Sequence, residues 1–162
     1  MLLLLASAVL LYLLPPAEPL SGEALFAQHF TPYSLNQSIR SNAATDSLLT
    51  QAYQQYQNQA YTDAAQTFER LRESQPDNVL FSFCLAHAYL NQQAPKLDLA
   101  QSQFQKVIDQ QQSIYVPRAK WYLALLFLKK EEKANARPLL EDLAKSTDQY
   151  GSRAQALLQQ LN

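Results

Sequence analysis

The feature that most constrains this chain is a pattern that returns every 36 residues. A small residue is followed four positions later by a large apolar one and three positions after that by an aliphatic one. It occurs as Ala64, Phe68, Leu71, again as Ala100, Phe104, Val107, and again as Ala136, Leu140, Leu143. Steps of four and three place the side chains on one face of a helix. Each of these stretches is preceded by another apolar-periodic run that carries its own small residue, Ala52, Ala86 or Ala124, spaced 34 and 38 apart. Where two helices cross closely, a small side chain on one admits a large one from the other. Each period therefore reads as a helical hairpin. One hairpin alone leaves an apolar face uncovered, so hairpins with a fixed period must stack on their neighbours, and about three are needed for stability. Three are present.

The hairpins are expected at residues 46–78, 79–114 and 115–148. A last amphipathic helix follows over 150–162, apolar through Ala154, Leu157, Leu158 and Leu161, and reads as a cap that shields the final hairpin from water. Residues 46–162 form the folded domain in this reading, with residues 17–45 a linker that includes one short helix. That helix is expected at Glu23–Phe30 with Ser21 as its N-cap, and Thr31-Pro32-Tyr33 ends it. The chain holds 21 glutamines, which interleave with the periodic apolar residues and so read as solvated helix faces.

Composition removes several function classes. The chain has only two glycines, Gly22 and Gly151. Loops that cradle phosphates need several glycines in one turn, because backbone N–H groups must approach the ligand closely. Few glycines also argue against an all-β fold. The net charge is −1, and although residues 96–162 are mildly basic, no patch has the strength a nucleic acid requires. Cys84 is the one cysteine and sits in an apolar run, so it reads as a small buried hydrophobe. His29 and His87 lie far apart, which leaves no metal site of the usual spacing. Glu131 and Glu132 are adjacent and do not make a facing acid/base pair. No catalytic residue, cofactor, metal, small-molecule substrate or nucleic-acid partner is expected, and the chain does not read as an enzyme.

The period and its residues resemble the tetratricopeptide repeat, a helix–turn–helix unit. In the first hairpin the match lies in Ala52, Tyr61, Ala64, Phe68 and Pro76, and in the second in Leu85, Ala86, Tyr89, Ala100 and Phe104. The second departs through a longer turn, Asn91–Pro95, and through the absence of a closing proline. The third opens with Trp121-Tyr122-Leu123-Ala124, but Lys133 stands where the turn aromatic belongs. An N-terminal apolar run, Leu2–Leu14, followed by the segment Leu25-Phe26-Ala27-Gln28-His29-Phe30-Thr31-Pro32-Tyr33 and then the repeats, makes the whole layout similar to small bacterial membrane-anchored members of that family. The resemblance implies an all-α fold, a right-handed α-solenoid of three hairpins plus the C-terminal cap. An N-terminal apolar helix would precede it. It also implies that the chain binds another protein or a peptide, with the first helices lining a concave groove. The groove positions are then Leu49, Tyr53 and Tyr56, next Leu80, Phe83, His87 and Leu90, and last Arg118, Trp121 and Leu125. Arg118, Lys120 and His87 would serve as polar handles. A second possibility is a structural subunit packed permanently in a larger membrane-associated assembly.

Residues 1–16 carry the apolar run Leu2–Leu14, closed by Pro15-Pro16. As a helix that run spans about 20 Å, short of the roughly 30 Å core of a bilayer. It reads as a single membrane anchor lacking its N-terminal part, on a side that the flanking charges do not specify. The alternative is a cleaved signal, after which the chain would be exported. The aromatic segment Leu25–Tyr33 is expected to dock on the repeats of its own chain. It would either cap the first hairpin or enter the groove beside Tyr53 and Phe83. Capping is the expectation, because only a short loop separates the segment from Asp46.

Overall fold

The computed structural model describes residues 20–35, 46–111 and 113–161. Among these residues there are eight helices and no strand. A short helix α1, Gly22–His29, comes first. The hairpins are α2 (Asp46–Gln57) with α3 (Tyr61–Ser74), α4 (Val79–Leu90) with α5 (Leu97–Asp109), and α6 (Val116–Lys129) with α7 (Lys133–Leu143). Helix α8, Gln149–Gln160, ends the fold. From α2 to α8 each helix packs against the next in sequence.

The recurring residues form the core. Ala52, Ala64, Phe68, Ala86, Ala100, Phe104, Ala124, Ala136 and Leu140 are all fully buried. The two short hairpin turns repeat one geometry two periods apart. In the first, Asn58, Gln59 and Ala60 donate to the carbonyls of Gln54, Tyr56 and Gln55; in the third, Lys130, Glu131 and Glu132 donate to Leu126, Leu128 and Phe127. Both turns put a residue in the left-handed region, Gln59 at φ 61° and Glu131 at φ 59°. Glycine is the residue that adopts this conformation at least cost. A glutamate is a notable choice there, and its carboxylate turns out to have a partner.

Helix α1 is capped as the sequence predicts, since Ser21 Oγ accepts from the Ala24 N–H at 3.1 Å. Its location differs from the expectation. The segment does not cap the first hairpin; α1 packs against α6, in the third. The reason is chemical. The groups that hold its backbone lie on the third hairpin and on α8, and residues 36–45 supply up to about 33 Å of chain to reach back to α2. The linker reading of 17–45 therefore gives way, over residues 20–35, to a docked segment. The apolar run Leu2–Leu14 lies outside the described residues. Among the described residues no helix is long and apolar enough to cross a membrane.

Candidate peptide-binding face

Residues 20–35 lie on α4, α6 and α8, and the repeats hold them largely by the main chain. Lys133 Nζ donates to the Leu20 carbonyl at 2.6 Å. The Glu131 carboxylate accepts the N–H of Gly22 at 2.8 Å and that of Glu23 at 2.9 Å. With Ser21 on Ala24, the first three N–H groups of α1 are satisfied, two of them by a residue from the far end of the chain. These N–H groups hold the Glu131 carboxyl below its usual range, that of Glu23 contributing most. Further along, Arg153 Nη2 donates to the His29 carbonyl at 3.2 Å, and the Tyr122 hydroxyl donates to the Thr31 carbonyl at 2.9 Å. His29 Nε2 meets Gln160 Oε1 at 3.1 Å. Gly22 passes so near the end of α6 that a Cβ there would sit 2.2 Å from the Leu128 carbonyl oxygen.

Aromatic rings supply the rest of the contact. Phe26 stacks on Phe30 with centroids 4.6 Å apart, and Lys129 Nζ stands 4.7 Å over the Phe26 ring. Phe30 meets Tyr122 edge-on. Tyr33 lies flat on His87, centroids 5.2 Å apart, and edge-on to Phe83 and Tyr122. Leu25 and Leu35 are fully buried. His87 is closed in on its other sides by Phe83, Phe104 and Tyr122. Neither of its ring nitrogens has a hydrogen-bond partner, and burial pushes its pKa down to about 3. It is therefore a neutral flat ring in an aromatic box. Burial likewise raises the Tyr122 and Tyr33 hydroxyls above the ordinary tyrosine range. None of these groups is poised to exchange protons near neutral pH, so the face is built for contact.

The Tetratricopeptide repeat family model matches residues 49–97 and 94–152. The chain belongs to the tetratricopeptide repeat family. No curated protein and no solved structure matches it. Tetratricopeptide repeats generally serve protein–protein interaction and are not catalytic.

Within this tetratricopeptide domain the predicted groove residues separate into groups. Phe83, His87 and Trp121 come together under residues 20–35. Trp121 is fully buried between His29 of α1 and Arg153 of α8, whose guanidinium carbon lies 4.4 Å over the indole. Tyr53 turns inward to Phe68, with its hydroxyl 4.0 Å from the Cys84 thiol. Tyr56 packs on Tyr61 and, with Tyr33 and Leu35, borders a hollow of about 400 Å³. Leu49, Leu90 and Leu125 are core, and Leu80 is half-buried against it. None of the three expected polar handles is free: His87 is sealed in, Arg118 is tied to the Ile114 carbonyl one turn back, and Lys120 is paired with Asp142 at 2.6 Å.

The anchors Glu131, Lys133, Tyr122 and Arg153 were not singled out as site residues. Two sequence features mark the contact without pairing its partners. Lys133 stands where the repeat pattern has an aromatic, and Gly22 is one of two glycines in a chain that otherwise avoids them. The other, Gly151, has the same cause, since a Cβ there would lie 1.9 Å from the Ser146 carbonyl oxygen.

Proposed function

We propose that this chain is a membrane-tethered protein-interaction module that captures a peptide or a partner domain on the face formed by α4 and α6. One observation carries the reading. The face holds a stretch of polypeptide through hydrogen bonds to its main chain and through aromatic contacts to its side chains, so its chemistry is that of a polypeptide receptor. Clustered aromatic side chains with an arginine are the usual anchors of protein interfaces. The right-handed solenoid implied by the family would make this face concave. The run Leu2–Leu14 supports the tether by its apolarity alone.

A module that binds and releases is favoured over a permanently packed subunit. Obligate interfaces bury roughly 2,000 Å² or more and are strongly apolar. Among the described residues the exposed large hydrophobics are Leu20, Leu99 and Ile114.

Photo-crosslinking in the intact cell tests the binding role. A crosslinker at the half-buried Arg118 or Leu80 should trap one recurring polypeptide, and one at the exposed Gln66 or Glu73 of α3 should not. Equal trapping at all four positions would contradict the assignment. Fractionation tests the tether: the full chain should sediment with membranes, and its recovery unprocessed in the soluble fraction would remove that part of the reading.

A further inference from the structure

We propose that residues 20–35 are a resident ligand of the repeats, and that a partner binds by displacing them with a segment of the same chemistry. That segment has a small residue opening a short helix, and one aromatic side chain followed by others four and seven positions on. This inference rests on the reading of the α4–α6 face as a polypeptide receptor and says what that receptor takes.

The contacts divide as they do for a bound peptide. Lys133, Glu131, Arg153 and Tyr122 read carbonyls and N–H groups of Leu20, Gly22, Glu23, His29 and Thr31. Any chain in the same conformation satisfies them, whatever its side chains. Selectivity falls on Phe26, which stacks on Phe30 under Lys129, on Phe30 and Tyr33, which meet Tyr122, Phe83 and His87, and on Gly22, because only a residue without a Cβ passes the Leu128 carbonyl.

The choice of residue at position 131 points the same way. The equivalent turn position in the first hairpin, Gln59, has the same left-handed backbone and makes no such contact with the segment. In the third hairpin the position carries the carboxylate that caps α1. The polar anchors Glu131 and Lys133 are at least partly open to solvent, so they return to water when the segment leaves. The segment is joined to α2 through residues 36–45, which places it at an effective concentration on the order of millimolar. A free peptide of equal intrinsic affinity must compete with that, and its apparent Kd rises roughly tenfold or more.

The test uses the full chain, in detergent where needed, and a fluorescent synthetic peptide of residues 20–35. Peptide anisotropy is measured with the native chain, with Glu131→Gly and with Gly22→Val. Hydrogen exchange of residues 22–30 follows the resident segment in parallel. Glu131→Gly suits the left-handed turn and leaves the hairpin intact, whereas Gly22→Val collides with the Leu128 carbonyl. The expected result is release of the resident segment in both variants and unchanged helical content of the repeats, with peptide binding at least tenfold tighter than to the native chain in Gly22→Val, whose receptor face is intact, and no such gain in Glu131→Gly, which lacks the carboxylate that the added peptide also needs. Release in Gly22→Val without tighter binding would overturn the proposal. So would a segment that stays protected in both variants, or repeats that melt when it leaves, since each makes it a fixed part of the core. A partner trapped at Arg118 alongside any of these failures leaves the interaction role standing, and peptide exchange with no partner trapped removes only that role.

Discussion

Replacing His87 with leucine should abolish a pH dependence of stability that the native chain displays. His87 is fully buried against Tyr33, Phe83, Phe104 and Tyr122, with both ring nitrogens unpartnered. Burial lowers its pKa from 6.5 to about 3 in the folded chain. Between those values the unfolded chain carries a proton that the folded chain refuses, so stability is complete above about 6.5 and is lost as pH falls toward 3. One pH unit in this window corresponds to about 1.4 kcal/mol, so lowering the pH from about 7 to about 5 should cost about 2 kcal/mol. The rings around His87 carry no charge in this range. The carboxylates held low in the fold, Glu131, Glu132, Asp142 and Asp148, have ordinary values of 4.5 and 3.8 and begin to contribute only below it. Denaturant unfolding followed by the fluorescence of Trp121, the chain's single tryptophan, reads the effect directly. The native chain should lose about 2 kcal/mol between the two conditions and His87→Leu nearly none. Equal losses in both chains would refute the account of a neutral, sealed histidine.

Two further outcomes follow from the core. Phe104→Ala empties a fully buried position that touches both Phe83 and Tyr122, and should destabilise by about 3–5 kcal/mol; an unchanged unfolding midpoint would mean that the repeat register is wrong. Cys84 is fully buried and its thiol is pushed up to about 12, so a thiol reagent at neutral pH should label it only on unfolding, and rapid labelling of the native chain would contradict the packing.

The hairpins were legible in the sequence because their physics is local. Small-large-aliphatic spacing states which helix face is buried, and Pro76, the Asn58–Ala60 turn and the Asn91–Pro95 loop mark where helices stop. The helix Tyr61–Ser74 buries the first set of the recurring residues, Ala64, Phe68 and Leu71. The site was legible by halves. Phe83, His87 and Trp121 could be found because first-helix positions of a repeat share one side. Glu131 and Lys133 could not, because their partners Gly22, Glu23 and Leu20 lie more than a hundred residues away, and no spacing rule covers that separation. Closeness in sequence also pointed the segment at the first hairpin. Hydrogen-bonding groups on the third decide its place, together with the one residue in its opening turn that can pass the Leu128 carbonyl.

The central claim is that residues 20–35 occupy the α4–α6 face, and hydrogen exchange at the amides of α1 in the full native chain tests it most directly. An isolated helix of eight residues is too short to persist in water, so any protection must come from docking. The account predicts that the amides of Leu25, Phe26 and Phe30, which are bonded within the docked helix, exchange far more slowly than in the free peptide of residues 20–35. Exchange at the free-peptide rate in the native chain would contradict it.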